Sequence, residues 1–304
     1  MTIPSKTVRE AAEKVGFDAC GIAPVEAMPL FESQLRQWLR DGGGLHYMEQ
    51  HIAMRAHPGL LVEGARSVVS VLRGYRPSRT MHGRGRVAMY AYGEDYHETI
   101  RGMLHAMVAE IKREYPDFEA KVCVDTVPIS DKLWAWRAGL GWIGKNTLLV
   151  NPDLGSLCNI GELVTTAEVD VYDGPTENRC GDCRACLDAC PNHALRPETV
   201  DGVRHTMLHP PLCVSYNTIE NRNDSLPEGL LGNGYAFGCD CCQLVCPYNR
   251  QAKVCAEISE DRIRELETLK EADEGTFRRV TRHTAMNRIK YAQWTRNLKA
   301  FSDN

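Results

Sequence analysis

Residues 180–191 read CGDCRACLDACP, and residues 239–247 read CDCCQLVCP. The first run has the spacing C-x₂-C-x₂-C-x₃-C-P, and the second contains C-x₂-C-x₃-C-P when it is counted through Cys239, Cys242 and Cys246. Cysteines at these spacings bind [4Fe–4S] clusters, and the last cysteine of such a run ligates the other cluster of a pair. The two runs therefore predict a domain that holds two clusters.

Exchanging the last cysteine of each run predicts two sets of thiolate ligands. Cys213 is the one cysteine between the runs, so we expect it to complete the second set. The first set is then Cys180, Cys183, Cys186 and Cys246, and the second is Cys190, Cys213, Cys239 and Cys242. A zinc ribbon is the alternative, because two C-x₂-C pairs can bind zinc. Zinc does not explain the C-x₃-C-P ending that occurs twice.

Bulk composition agrees with a metal-binding role for these cysteines. The chain has 304 residues, 13 cysteines and a formal net charge of −4. No apolar stretch approaches the length of a membrane span, and the N-terminus lacks the apolar core of a signal peptide. We therefore expect a cytoplasmic protein with no membrane partner, and we expect a monomer. In such a protein, closely spaced cysteines indicate metal binding rather than disulfides.

Hydrophobic patterning divides the chain into three predicted parts. Apolar residues recur with helical spacing over 96–114, whereas residues 120–128 are β-rich and end at a proline. Mixed elements of this kind predict an α+β or α/β domain over residues 1–170. A loop-rich cluster domain over 171–250 and a helical segment over 251–304 follow it.

The stretch RAGLGWIGKNT, residues 137–147, is one letter short of a phosphate-binding loop, because Asn146 stands where Ser or Thr would bind Mg²⁺. A phosphate loop follows a strand and opens a helix. Here the glycines follow a predicted helix over 130–139 and precede a predicted strand. This order argues against ATP binding.

The C-terminal stretch 275–302 contains seven Lys or Arg residues and no acidic residue, with Phe277, Tyr291 and Trp294 interleaved. One interpretation is an amphipathic terminal helix with a solvated basic face. The other is contact with nucleic-acid phosphates together with stacking of the aromatic rings on exposed bases.

Several segments together resemble the epoxyqueuosine reductase family. They are VDTVP (124–128), AGLGWIGKNT (138–147), CVSYNTIE (213–220) and GCDCCQLVCPYN (238–249), with the eight paired cysteines. The resemblance implies reduction of epoxyqueuosine to queuosine at the wobble position of the tRNAs for Asp, Asn, His and Tyr. It also implies cobalamin held in the N-terminal domain, two [4Fe–4S] clusters in a ferredoxin-like domain, an electron donor still to be identified, and a build related to reductive dehalogenases.

The resemblance also implies roles for individual residues. Asp125 corresponds to the proton donor near cobalt, and desolvation by the corrin would raise the pKa of its carboxyl. The residues implied around the corrin are Arg55, Tyr96, His97, Lys145, Asn146 and Thr147. We expect the glycines of residues 137–147 to let the backbone turn tightly beside this cofactor.

Two other functions fit part of the sequence. A corrinoid reductase that acts on a small organohalide would use the same cofactors. A ferredoxin-type electron carrier would explain the cysteines but would leave the N-terminal domain without a role.

Overall fold

The computed structural model describes residues 1–43, 46–200 and 202–301. Residues 44, 45, 201 and 302–304, which fall within the three predicted parts, lie outside these ranges. The strands are β1 (Thr2–Ile3), β2 (Ala19–Pro24), β3 (Ser67–Gly74), β4 (Arg86–Val87), β5 (Ala120–Cys123), β6 (Trp142–Ile143), β7 (Leu149–Val150), β8 (Cys158–Thr165), β9 (Glu168–Val169), β10 (Leu195–Val200), β11 (Val203–Leu208) and β12 (Tyr235–Phe237). The helices are α1 (Ser5–Lys14), α2 (Pro29–Trp38), α3 (His46–Glu49), α4 (Ile52–Ala56), α5 (Tyr96–Lys112), α6 (Asp131–Arg137), α7 (Ala185–Asp188), α8 (Val214–Ile219), α9 (Cys241–Leu244), α10 (Pro247–Gln251), α11 (Glu260–Thr268), α12 (Glu274–Thr281) and α13 (Tyr291–Phe301).

A four-stranded sheet lies at the centre of the N-terminal half, in the order β2-β3-β8-β5. All three strand pairs in this sheet are antiparallel. Antiparallel pairing with helices packed on the faces is the α+β arrangement, whereas an α/β fold requires a mainly parallel sheet. Of the two predicted fold classes, the structure therefore has the first.

Helices cover both faces of this sheet because its central strands are buried on both sides. Alternation along β8 places Leu163 in a core with α1 and α5, and Val164 in a second core with α6. Helix α5 contributes apolar residues at helical spacing, including Ile100, Leu104 and Met107. Glu162 has the same parity as Val164, so it lies on the face that α6 covers.

The predicted strand over 120–128 is shorter in the structure. Strand β5 ends at Cys123, and a loop over 124–130 connects it to α6. Asp125 lies in this loop with φ of 47°. The left-handed backbone at Asp125 cannot continue a strand, so the carboxylate stands at the carboxyl end of β5.

The C-terminal helices share a core with the N-terminal half of the chain. Residues of α11, α12 and α13 pack against apolar side chains of segment 81–92, and β4 pairs with β12. The predicted boundary at residue 170 therefore does not separate two independent cores. No helix in the described ranges is long and apolar enough to cross a membrane.

The aromatic residues of the basic stretch belong to this shared core. Trp294 is fully buried and Phe277 is 2% exposed, and their rings stack with centroids 5.8 Å apart. Tyr291 is half-buried and donates its hydroxyl to the carbonyl of Ala272 at 2.8 Å. The interpretation that these rings stack on exposed bases is wrong, because an amphipathic helix points its aromatic residues inwards.

Two arginines of this stretch bind other groups of the protein. Arg288 pairs with Glu220 at 2.9 Å. Arg296 donates to the carbonyls of Asn217 and Asn221 at 3.0 and 2.9 Å. These arginines join the terminal helix to the segment that follows α8.

Candidate active site and cluster centres

The first predicted set of cysteines surrounds one cavity. Cys180, Cys183 and Cys186 come from the first run, and Cys246 follows α9 in the second. All four line a cavity of about 390 Å³. Burial raises the pKa of the Cys186 thiol to about 11, and negative charge on its three neighbours adds to this effect.

The second predicted set is also gathered in one place. The Cys242 thiol lies near those of Cys213 and Cys190, and the Cys239 thiol lies near Cys242. Burial raises the pKa of Cys242. Cys186 of the first set also lies near Cys242, so the division of the thiols into two ligand sets stays a prediction. The assignment of each thiol to a particular iron atom remains a prediction.

The four thiols of the first set surround a cavity and do not converge on a single metal position. Across the part of the chain that the structure describes, no group of three or more His, Cys, Asp or Glu side chains could hold a single metal ion. Zinc would draw its ligands to about 2.3 Å from one centre. A cubane instead needs thiolates on the outside of a larger body, and the cavity with its four sulfur donors fits that requirement. Bound iron would also offset the repulsion between the thiolates. This offset would favour their deprotonated form.

A buried polar network fixes the second cysteine run against the sheet domain. Asn249 accepts the backbone N–H of Ser156 at 2.6 Å and donates to the carbonyl of Gln243 at 2.7 Å. Gln243 in turn donates to the carbonyl of Ser156 at 2.9 Å. Gly155 has φ of +60°, and a Cβ there would lie 2.0 Å from Oδ1 of Asn249. Only glycine leaves room for this contact, which holds Cys246 in position.

Lys145 connects the glycine-rich stretch to the first set of cysteines. Its Nζ donates to the carbonyls of Gly181 and Cys183, at 2.6 and 2.9 Å. Lys145 and Asn146 both line the cavity of the first set. The structure therefore places these two residues at the first predicted cluster, and the contact with the corrin that the resemblance implies stays a prediction.

The glycines of this stretch close a hairpin. Gly139 has φ of +73° and follows the end of α6, and Gly141 has φ of +153°. A Cβ on Gly141 would lie 2.2 Å from the carbonyl oxygen of Val150. The space at Gly141 is thus filled by the neighbouring strand β7, so this glycine allows close packing of the hairpin rather than approach of a corrin. The order of helix, glycines and strand is as predicted.

Asp125 belongs to a chain of three ionisable groups. Nε2 of His97 lies 3.0 Å from Oδ2 of Asp125, and Nδ1 of His97 lies 2.7 Å from Oδ1 of Asp95. Asp95 also caps α5 by accepting the backbone N–H of His97 at 3.0 Å. Both ring nitrogens face carboxylates, which can only accept, so the geometry favours the doubly protonated imidazolium. The Asp125 side chain is 59% exposed, which leaves it open to a substrate.

The electrostatics of Asp125 differ from our expectation. The hydrogen bond from His97 lowers the pKa of the Asp125 carboxyl and outweighs desolvation, which acts in the opposite direction. Burial disfavours the imidazolium of His97, but the hydrogen bonds to Asp125 and Asp95 raise the pKa of His97 overall. The pKa of Asp125 is thus lowered by the residues of this chain, and the effect of a corrin on this pKa stays a prediction. Both shifts favour the form of the pair in which His97 carries the proton.

The remaining predicted cofactor residues occupy different places. The Tyr96 hydroxyl interacts with the Asp125 carboxylate, so Tyr96 belongs to the Asp125 group. Thr147 has φ of 63°, and its carbonyl accepts the amine of Lys132 at 2.7 Å. Nε of Arg55 is buried and has no hydrogen-bond partner within the described ranges. A corrin carries amide groups on its rim, so this donor fits a cobalamin side chain.

Sequence reasoning missed two acidic residues near Asp125. Glu162 in β8 is fully buried, and Asp131 begins α6 at the far end of the Asp125 loop. The signal for Glu162 was its position inside an apolar strand, where alternation places it on a covered face. Nothing in the sequence indicated that these two carboxyls meet.

Cysteines of both runs that gather around one cavity, in a chain that also holds an exposed carboxylate bound to His97, are typical of an iron–sulfur oxidoreductase. Two family models match the chain. Residues 179–249 match the one described as "4Fe-4S double cluster binding domain". Residues 55–126 match the one described as "Epoxyqueuosine reductase QueG, DUF1730".

The full chain is similar to epoxyqueuosine reductases. It is 36% identical to the epoxyqueuosine reductase of Leadbetterella byssophila, and the alignment covers 97% of each chain. Among solved structures, it matches the Bacillus subtilis epoxyqueuosine reductase whose catalytic aspartate loop is swung out of the active site. That match has a TM-score of 0.83 and 26% identity, over 96% of this chain and 79% of the other. An epoxyqueuosine reductase in complex with an epoxyqueuosine-modified tRNA-Tyr stem loop gives a TM-score of 0.80 and 26% identity, with the same coverage. The chain belongs to the epoxyqueuosine reductase family.

Proposed function

We propose that this chain reduces epoxyqueuosine to queuosine in tRNA, with Asp125 as the acid that protonates the epoxide oxygen. The observation that carries the proposal is the exposed Asp125 carboxylate, held 3.0 Å from the imidazole of His97. The relative solved with a modified tRNA stem loop supports tRNA as the substrate. The relative named for its catalytic aspartate loop supports the assignment of the acid.

Reduction of the epoxide to an alkene breaks both carbon–oxygen bonds and forms a carbon–carbon double bond. It consumes two electrons and two protons, and it releases water. When bound, cobalamin would supply a low-valent, nucleophilic cobalt for cleavage of the carbon–oxygen bonds, and the two clusters would supply electrons from an external donor.

The residues of this chain supply a proton and orient the side chains that deliver it. An alkoxide is a poor leaving group at neutral pH, so an acid must reach the oxygen as its bond to carbon breaks. Asp125 is exposed for this contact, and His97 stores the proton that it delivers. Asp95 accepts from Nδ1 of His97 at 2.7 Å and so fixes the orientation of the ring.

Three finer assignments are part of the proposal. The eight cysteines bind two [4Fe–4S] clusters in a domain over residues 171–250, and cobalamin binds to the domain over residues 1–170 near Arg55, Tyr96, His97 and Thr147. The helical segment over 251–304 contributes to the tRNA surface. Its exposed cations Arg279, Arg282 and Lys290 are the candidates for phosphate contacts.

Anaerobic reconstitution with iron, sulfide and cobalamin tests the function. The loaded protein, given titanium(III) citrate as the reductant, should convert an epoxyqueuosine-modified anticodon stem loop to the queuosine form, as judged by mass spectrometry of the digested RNA. Metal analysis should find both iron and cobalt. Turnover of an organohalide without conversion of the RNA would favour a small-molecule reductase. Iron without uptake of cobalamin would favour an electron carrier.

A further inference from the structure

A pair of carboxyl groups lies buried beneath the Asp125 loop. Glu162 is in the middle of β8, and its cross-strand neighbours are Ser70 in β3 and Cys123 in β5. Directly opposed residues of a sheet share a face, so all three lie on the face that α6 covers. Asp131 is the first residue of α6. The pair therefore lies at the base of the loop, with Glu162 opposite Cys123, the last residue of β5, and Asp131 at the start of α6.

Three of the four oxygens of this pair lack a hydrogen-bond donor within the described ranges. Both Oε atoms of Glu162 and Oδ1 of Asp131 are buried without a partner within the described ranges. The two carboxyls are within hydrogen-bonding distance of each other, and each therefore alters the protonation of the other. Two ionised carboxylates repel each other and neither can donate. One shared proton removes the repulsion and gives both groups a partner.

The charge distribution places this proton on Glu162. Burial raises the pKa of Glu162 well above its usual range, and the charge of Asp131 raises it further. Burial also raises the pKa of Asp131, while the hydrogen bond from Glu162 acts in the opposite direction. Protonated Glu162 therefore donates to the Asp131 carboxylate. Asp131 is only half-buried as a residue, so it is the side of the pair nearer to solvent.

Few other charged or titratable groups face the pair. The Asp125 carboxylate acts on both members and disfavours their ionisation. Lys132 opposes this effect at Asp131. The Cys123 thiol has a pKa raised to about 12 by burial, so it remains protonated. The Tyr96 hydroxyl hydrogen-bonds to the Asp125 carboxylate, and the charges of Asp125 and Asp131 both raise the pKa of Tyr96 after burial, which has the largest effect.

The proposed reaction needs two protons, and the inference that follows rests on that reaction. Two protons leave with the epoxide oxygen as water, whereas the His97 and Asp125 pair holds one. We propose that Glu162 and Asp131 store the second proton and return it to Asp125 after the first has been transferred. Neither residue touches the substrate, so both are positioning residues that act through Asp125.

Infrared spectroscopy of the protein tests the stored proton without any reaction. At pH 7 the wild-type chain should show the C=O stretch of a buried protonated carboxyl that shifts in D₂O. Glu162→Gln should lose this band. Glu168→Gln, which alters an exposed glutamate of β9, should keep it. If Glu162→Gln does not fold, Asp131→Asn should shift the band instead. A wild-type spectrum without the band would overturn the inference.

Single-turnover kinetics then test the use of the proton. The loaded and pre-reduced Glu162→Gln enzyme should form queuosine about 10²-fold more slowly than wild type at pH 8, the lower end of general-acid effects. The rate should recover towards wild type at pH 6, where solvent protons are more abundant. Equal rates at both pH values, or an equal loss at both, would contradict proton delivery. A wild-type enzyme that converts no substrate would overturn the reductase proposal and proton delivery with it, whereas the infrared band decides the shared proton separately.

Discussion

Replacing Lys145 with Met should loosen the first cluster-binding loop. The amine of Lys145 donates to the carbonyls of Gly181 and Cys183, at 2.6 and 2.9 Å. A hydrogen bond from a charged donor stabilises a fold by about 1.5–3 kcal/mol. Both contacts are open to water, so we take about 2 kcal/mol for the pair together. Since 1.4 kcal/mol corresponds to a factor of ten, the opened loop should be populated about 30-fold more often.

Release of iron to a chelator measures this opening, because the cluster is lost from the open form. The reconstituted Lys145→Met protein should release its first cluster about 30-fold faster than wild type. Uptake of cobalamin should be unchanged. Lys121→Met, which alters an exposed lysine in β5, is the matched control and should behave as wild type. Iron release at the control rate, together with weaker cobalamin binding, would refute our placement of Lys145 and restore the corrin contact.

Three further changes test other parts of the structure. Cys246→Ser should remove half of the bound iron, because it completes the first set across the two runs, whereas Cys255→Ser should keep all of it; equal iron contents would contradict the ligand exchange. Trp294→Ala should lower the free energy of unfolding by about 3–5 kcal/mol, since the ring is fully buried; a urea titration that shows a loss under about 1 kcal/mol would contradict its place in the core. Burial raises the pKa of Glu162 above its ordinary value of 4.5, so the stability from its protonated form is complete below that pH and falls as the pH rises through the folded pKa. Urea titrations should therefore find that wild type loses stability relative to Glu162→Gln as the pH rises above 4.5; a constant difference would refute this.

The spacing of the cysteines predicts which thiols bind each cluster. A thiol three residues from the next must lie on the same short turn, and the proline after each run directs the last cysteine away from the others. The structure accordingly gathers Cys246 with the first run and Cys190 with the second. Local geometry of this kind is encoded in a few consecutive residues, so the sequence is enough to deduce it.

Contacts between distant segments were harder to predict. Lys145 and Cys183 are 38 residues apart, and no periodicity indicates which direction the lysine side chain takes. The pKa of Asp125 depends on His97, which lies 28 residues away. Composition likewise could not say whether Trp294 faces the core or the solvent. In each instance, tertiary packing determines which residues surround the side chain. Those residues then determine its hydrogen bonds, its pKa or its burial.

Single-turnover reduction by Asp125→Asn tests the central claim most directly. An asparagine side chain retains the shape and exposure of Asp125 but cannot pass on the proton of His97. The loaded and pre-reduced variant should bind the epoxyqueuosine-modified stem loop as wild type does, and should convert it about 10²–10⁴-fold more slowly. Asp117→Asn, which makes the same change at an exposed position before β5, should convert it at the wild-type rate. Full activity of Asp125→Asn would contradict the account.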